Sequence, residues 1–533
     1  MAKHSERRYF FAHNLQYDLN NLDYPENSIQ KLITSNGVIG GKYLENYFVD
    51  TLKFYQSPLK DLAKKFGYQK MEFDTAQIAH KKLTEIPIDV RVMLFEYCLK
   101  DAQIVAMVGK HLIEKMRQMG LHFTCYTAAS MSLKIFQSAC LKKPIPTRGN
   151  YINDIERLAY YGGRCEVFDY RKKNGIIYED INSSYPSSML KDIPDPTSYA
   201  KMKGNIEDVV NYLGISLCEV EASGIKYPVL PYKHNGKLLF PIGKWVGVYT
   251  HAELKKALEV GYKIKALDTI IYTRKLDIFK EFVERFYKEK NNAQSESDKL
   301  FYKIILNSLY GKFAERRYDM VFEKIEFLDP NIIEKYGDKI TEKSGFAIVR
   351  GERLPDTSHT FPIISAYISA YSRLKLYEER IEKAGQIFYC DTDSIITNED
   401  ISFNRGNGIG QWKSEAYNEF QAFAPKYYFL DGKLKIKGVP KNAKSLGDML
   451  YEYQKPIKLK EGITRKLPPN LWISIQKRII PKADKRKRNP DGTTEPLKVV
   501  NDIKLHTMNE AVLYNALQYA PKDYIDLPLP KGL

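Results

Sequence analysis

The stretch Tyr389-Cys390-Asp391-Thr392-Asp393-Ser394-Ile395 decides the reading of this 533-residue chain. Two carboxylates alternate at the tip of a hydrophobic run, with Gln386-Ile387-Phe388-Tyr389 before them and Ile395-Ile396 after. The pattern predicts two short strands joined by a tight acidic turn. Acids pressed against apolar strands are costly unless a cation neutralises them. A divalent metal does this well, because hard cations such as Mg²⁺ take carboxylate oxygens and bridge to phosphates. A lone Asp-x-Asp turn is more often a solvated β-turn, so the rest of the chain must decide.

Composition narrows the classes. The length allows roughly three domains, and 44% hydrophobic content is ordinary for a globular protein. No uninterrupted apolar run approaches the ~20 residues of a membrane span, and no signal-peptide core is expected at the N-terminus. Cysteines at 98, 125, 140, 165, 218 and 390 form no Cys-x-x-Cys pair. They argue against a zinc ribbon or a disulfide framework and fit a reducing, intracellular setting in a host cell, with nucleus or organelle left open. The net charge is +17, and Lys433–Arg488 holds 17 Lys and Arg against 4 Asp and Glu. Tyr427, Tyr428, Tyr451, Tyr453 and Trp472 lie in or beside this segment. Basic residues interleaved with aromatics suit a phosphate backbone and stacked bases, although a solvated charged face has the same composition.

Two further constellations carry chemistry. Asp180 follows the apolar Ile176-Ile177-Tyr178 and precedes Asn182-Ser183-Ser184-Tyr185-Pro186, so its carboxylate is expected at a strand end beside a turn. Backbone N–H groups of such a turn can hold triphosphate oxygens. Tyr185 is placed to lie under a sugar ring. The second constellation is helical. Lys303, Asn307 and Tyr310 recur at i, i+4 and i+7 on one face, while Phe301, Ile305 and Leu309 turn inward. Lys290, about one helix earlier, offers a second cation. Helices are also expected over Ile88–Lys115, Thr250–Val260 and Ile363–Lys383.

Asp180…Tyr185-Pro186, Lys303…Asn307-Ser308…Tyr310-Gly311 and Tyr389…Asp391-Thr392-Asp393, in this order, resemble the A, B and C motifs of family B DNA polymerases. Further segments are similar to the protein-primed branch of bacteriophages and linear plasmids. Tyr160-Tyr161-Gly162-Gly163 resembles its Tyr-x-Gly-Gly linker. Ser369…Arg373 resembles its template-contacting Thr-x-x-Gly/Ala-Arg motif, with Ser in place of Thr. Lys426-Tyr427-Tyr428 matches its Lys-x-Tyr motif, which supports the primer terminus. The resemblance implies a DNA-directed DNA polymerase with DNA template, primer and dNTPs as partners. It implies Asp180 and Asp393 as ligands of two Mg²⁺ ions (Mn²⁺ able to substitute) and Asp391 in support. Lys303 and Lys290 would neutralise triphosphate charge, Tyr185 would reject a 2′-hydroxyl, and Tyr310 would pack on the nascent base pair. A terminal protein that donates the priming hydroxyl is favoured, but no residue decides the priming mode.

The N-terminal part resembles a ribonuclease-H-like proofreading domain. His13-Asn14-Leu15-Gln16-Tyr17-Asp18 is similar to the second exonuclease motif, and Tyr97…Asp101 to the third. Thr51-Leu52 is similar to a single-strand-binding motif. The first motif, Asp-x-Glu, should precede His13, where only Glu6 is acidic. A truncated domain with weak or absent 3′→5′ exonuclease activity is expected, since two-metal hydrolysis needs both ions held.

The expected architecture is α+β and multidomain, a right hand behind this remnant. It runs from exonuclease-like 1–142 through linker and palm 143–195, first insertion 196–285, fingers 286–316, second insertion 317–357 and palm 358–437, to a basic thumb 438–533. The run Lys485-Arg486-Lys487-Arg488 is expected to contact DNA within that thumb. The rival readings are a catalytically silent DNA-binding protein and a nuclease built on Asp391 and Asp393.

Overall fold

The computed structural model describes residues 8–21, 29–34, 37–74, 78, 83–234, 236–324, 328–329, 331–332, 340–343, 346–436, 450–456, 472–478, 485–501 and 503–518. They form a mixed α/β protein of two compact units.

The first unit joins residues 1–144 to 281–312 and 316–354. Its four-stranded sheet has the order Arg8–Ala12, Asn46–Asp50, Gly37–Tyr43, Gln30–Thr34, the first pair parallel. The helix expected over 88–115 runs Ile88–Gln118, and its Gly109 lets Phe11 of the edge strand pack directly on the helix backbone. From Asp277 to Phe313 the sequence predicts helix with only a polar break at Asn291–Ser297, and the structure forms two helices, Lys280–Asn292 and Glu296–Ser308, parted within that span. Glu296–Ser308 is anchored within this unit. Asp298 accepts from His111 at 2.9 Å and pairs with Lys115 at 2.6 Å, and the Ser132 hydroxyl donates to the Ile305 carbonyl at 2.6 Å. The segment expected to be fingers therefore packs with the exonuclease-like residues.

The second unit is built on a seven-stranded antiparallel sheet. Its order is Lys433–Ile436, Tyr427–Leu430, Trp412–Ala424, Lys173–Ile181, Ser394–Thr397, Ile387–Asp391, Cys165–Val167. Period-two alternation divides the central strand. Ile176, Tyr178 and Asp180 line one face, and Glu179 and Ile181 line the other. The second face is sealed by the helix Pro362–Leu376, whose Leu374 and Leu376 join Ile181, Cys390, Ile395 and Trp412 in one core. That helix carries Pro at its first position, where the missing N–H costs nothing, and runs into a π-helical turn at Tyr377–Ile381. A five-stranded sheet adds to the same core through Cys218, Val220 and Trp245. Its helix His251–Glu259 starts where Thr250 accepts from the Glu253 N–H, matching the expected 250–260.

Glu179 is fully buried against Arg380 at 2.7 Å, with Arg405 at 3.2 Å. Removing one partner strands a buried charge, so Arg380→Met should cost about 3–5 kcal/mol, read in urea unfolding. A loss below ~1 kcal/mol would show that Arg405 alone neutralises Glu179.

Candidate active site

The acidic turn forms as the sequence predicts, between Ile387–Asp391 and Ser394–Thr397. Thr392 takes the left-handed region, φ 63°, which a β-branched residue adopts only under constraint. Its N–H donates to the Arg164 carbonyl at 2.6 Å, and the Asp393 N–H donates to the Asp391 carbonyl at 2.7 Å. Register sets the site. Ser394 lies opposite Asp180 on the neighbouring strand, and the Ile181 N–H donates to the Asp393 carbonyl at 2.8 Å. The carboxylates of the two motifs, more than two hundred residues apart, therefore meet at one sheet end.

Their electrostatics differ. Asp391 is paired with the Lys426 ammonium, to Oδ2 at 2.6 Å and to Oδ1 as well, and accepts from the Thr392 hydroxyl at 3.1 Å. Burial opposes the charge on Lys426, but the Asp391 bond and surrounding acids hold its proton above the usual lysine range. Lys426 has φ 64°, and its N–H donates to the Tyr389 hydroxyl at 3.0 Å. Tyr428 stands beside that ring, 5.2 Å between centroids. Asp393 is pushed the other way, up to about 7, by burial first and then by the charges of Asp180 and Asp391. A buried carboxylate facing a second acid is a hard-oxygen donor set that a divalent cation relieves. Among the described residues no three His, Cys, Asp or Glu side chains converge as a ready-made cage. Mg²⁺ suits such an open pair, since it is bound by one or two carboxylates with water and phosphate completing its shell.

The remaining expected residues fall in two groups. In the second unit, Tyr185 lies in the one-turn helix Ser184–Met189 after Ser183 at φ 55°. The Tyr160 phenol is pushed up to about 12 by burial and then by Tyr185, which places the linker tyrosine beside motif A. Gly162 is exposed, while Gly163 abuts the acidic turn; a Cβ there would meet the Thr392 hydroxyl at 2.7 Å. Ser369 and Arg373, expected to contact the template, are both buried. The Ser369 hydroxyl donates to the Ala366 carbonyl at 3.0 Å. Arg373 is 3% exposed and pairs with Glu253 at 2.7 Å. It also donates to the Tyr161 carbonyl at 2.6 Å and the Gly162 carbonyl at 2.9 Å, so it grips the linker. In the first unit, Lys303 is exposed on its helix, and the Asn307 amide donates to the Lys303 carbonyl at 2.9 Å. That helix ends at Ser308, so Tyr310 opens a 3₁₀ turn, Tyr310–Ala314, instead of continuing the same α-helical face. Lys290 rests over the Tyr287 ring at 4.2 Å.

The exonuclease-like residues include two that the sequence reading passed over. Asp50, directly before Thr51-Leu52, is fully buried and accepts from the Asn14 N–H at 2.8 Å and the Leu52 N–H at 3.0 Å. Lys70 is bound to Asp101 and donates to the Tyr97 hydroxyl at 3.0 Å. Asp18 is held above the usual carboxylate range, by burial and by the Asp50 charge. The basic run also differs from expectation. Arg486 is 4% exposed, Arg488 lies over the Tyr170 ring at 4.3 Å, and Lys487 pairs with Glu495 at 2.6 Å, all in a hairpin held to the Val167 and Phe168 carbonyls through Thr494. Residues 438–449, 457–471, 479–484, 502 and 519–533 of the expected thumb lie outside the described residues.

Residues 68–385 match the family described as DNA polymerase type B, organellar and viral. The chain belongs to this family. Among curated relatives, a probable DNA polymerase of Neurospora intermedia is 27% identical over 412 residues, 71% of this chain and 41% of that protein. One from Podospora anserina is 28% identical over 331 residues, 54% and 27% respectively. The chain thus spans well under half of these first fungal relatives. The DNA polymerase of Bacillus phage phi29 is 25% identical over 476 residues, 81% of this chain and 78% of that one. Phi29 DNA polymerase complexed with primer-template DNA and incoming nucleotide substrates superposes with TM-score 0.64 at 19% identity, covering 87% of this chain and 89% of that one. Its complex with single-stranded DNA gives TM-score 0.64 at 20% identity over 85% and 89%. These structures show that the type B chain shares that fold. Among the described residues no helix is long and apolar enough to cross a membrane.

The raised Asp393 value gives a stability test. In metal-free protein the folded state keeps this proton up to about pH 7, while the unfolded chain releases it near 3.8. The native state binds the extra proton in that window, so its stability falls as pH rises through it. Asp393→Asn should flatten this slope and raise the melting temperature of metal-free protein near pH 8 by several degrees. An unchanged slope would mean Asp393 carries no such burden.

Proposed function

We propose that this chain is a DNA-directed DNA polymerase that adds dNMP units to a primer 3′-hydroxyl, or to the hydroxyl of a terminal priming protein. The setting that fits is replication of a virus or linear plasmid. The observation that carries this reading is the meeting of Asp180 and Asp393 at one sheet end, with Asp391 already neutralised by Lys426. Asp180 and Asp393 would hold divalent metal, Mg²⁺ with Mn²⁺ able to substitute. When bound, such ions lower the pKa of the attacking hydroxyl and stabilise the leaving pyrophosphate.

The protein's part is positioning and counter-charge. Lys303 and Lys290 neutralise triphosphate charge as it shifts to the leaving group. Tyr185 lies under the sugar, with Asn307 and Tyr310 toward the base. Tyr160, Gly162, Gly163 and Tyr428 flank the DNA path, and Arg373 holds the linker in place. Lys426 holds Asp391 in an ion pair, which leaves Asp393 as the metal-facing acid of the turn.

Asp393→Asn should abolish nucleotide incorporation in a primer-extension assay, by at least ~10³-fold, while the dissociation constant for primer-template stays within about threefold. Near-normal extension would refute the assignment, and shortened DNA without dependence on dNTPs would favour the nuclease reading. The exonuclease-like residues are proposed to hydrolyse weakly or not at all, because Lys70 already occupies Asp101. Purified protein should leave a mismatched 3′ end intact. Rapid digestion abolished by Asp18→Ala would overturn that.

A further inference from the structure

The metal-facing turn is held from behind by a chain of buried charges that starts in the C-terminal hairpin. The N–H of Thr392, in its left-handed backbone, donates to the Arg164 carbonyl at 2.6 Å. The Arg164 side chain is buried. Its Nε donates to Glu166 Oε2 at 2.6 Å, its Nη1 to the Pro228 carbonyl at 2.8 Å, and its plane lies over Phe240 at 4.2 Å. Glu166, opposite Cys390 in the strand register, presents its other oxygen to Arg486 Nη1 at 3.6 Å. Arg486 lies over the Phe168 ring at 4.5 Å, and its Nε donates to the Thr494 hydroxyl at 2.9 Å. Thr494 in turn donates to the carbonyls of Val167 and Phe168, at 3.1 and 3.0 Å. The hairpin Arg486–Arg488/Thr494–Pro496 is thereby fixed to the strand that carries Glu166.

This arrangement is expensive for mere packing. Two guanidiniums share one carboxylate in a dry interior, and Arg164 Nη2, Glu166 Oε1 and Arg486 Nη1 have no hydrogen-bond partner among the described residues. Buried charge of this kind commonly costs more than an apolar replacement would. What it supplies is rigidity, since an arginine pinned on both edges of its plane cannot swing. The Arg164 backbone is the acceptor for Thr392, so whatever fixes Arg164 fixes the turn. A Cβ-free Gly163 lets the Thr392 side chain lie against the same backbone.

We infer that Arg486 is a positioning residue for nucleotidyl transfer, acting through Glu166 and Arg164 to hold the Asp391-Thr392-Asp393 turn and so the angle at which Asp393 meets Asp180. This rests on the proposed polymerase reading, and it removes Arg486 from the DNA-contacting role that the basic run suggested.

The test uses the full chain with three readouts: Mn²⁺ binding to DNA-free protein by electron paramagnetic resonance, hydrogen exchange of the peptide spanning 387–396, and primer-template affinity. Arg486→Gln should weaken Mn²⁺ binding about tenfold, as loss of an outer-shell support does. It should also speed exchange at Thr392 while leaving DNA affinity within about twofold. Lys487→Ala, at the next residue and on the exposed side of the hairpin, should change neither Mn²⁺ binding nor exchange. Wild-type Mn²⁺ binding and exchange in Arg486→Gln would overturn the inference, as would a loss of DNA affinity equal to that of Lys487→Ala with the turn undisturbed. Should Arg486→Gln fail to fold, Arg486→Lys and Glu166→Gln, which keep volume, carry the same prediction at smaller size, and wild-type readouts in both would overturn it. If wild-type protein itself binds no Mn²⁺, the polymerase reading fails, and the exchange readout still judges the link from Arg486 to the turn.

Discussion

Three carboxylates brought to one sheet end repel one another unless some are neutralised from within, and Lys426 neutralises Asp391. That ion pair divides the labour of the acidic turn. Burial first, and then the charges of Asp180 and Asp391, push the Asp393 pKa up to about 7. A site that holds a proton so far above the usual carboxylate range is a site that a divalent cation occupies with gain. The ion pair depends on the tight turn that gives Lys426 its φ of 64°, and on the Tyr389 hydroxyl that receives its N–H. Fold and electrostatics are thus joined at one lysine.

Around this centre the second unit spends buried charge freely. Glu179 with Arg380, Glu253 with Arg373, and Glu166 with Arg164 are all buried pairs, and the first two tie an element of the site to a segment distant in sequence. Glu179 precedes Asp180 on the face away from the site, so its pairing fixes the strand that presents Asp180. Arg373 restrains the Tyr161–Gly162 backbone, and Gly163 follows directly against Thr392. The linker, the acidic turn and the helix Pro362–Leu376 are therefore one mechanical assembly.

Much of this was legible in the sequence, and the reason is local. An acid at the tip of alternating apolar residues, a Thr before a helical pattern, and a polar break between two amphipathic stretches are short-range signals, and the structure forms the strands and helices they announce. The burial of Arg373 and Arg486 was not legible, because their partners Glu253 and Glu166 lie far away in sequence and leave no period to read. Arg486 was the more deceptive, since a Lys-Arg-Lys-Arg run looks like a solvated or DNA-facing stretch whichever member turns inward. Asp50 and Lys70 escaped for a similar reason: each pairs across the exonuclease-like residues in a way only tertiary contact reveals. Tyr310 shows a smaller limit, where helical spacing was extended past the helix's own end at Ser308.

The central claim is that Asp180 and Asp393, and not Asp391, are the metal-holding pair. Anomalous-difference density from crystals of the protein soaked in MnCl₂ tests it most directly. The account predicts manganese bound between the Asp180 and Asp393 carboxylates, with Lys426 still on Asp391. Manganese seated on Asp391 with Lys426 displaced, or no manganese at this sheet end, would contradict it.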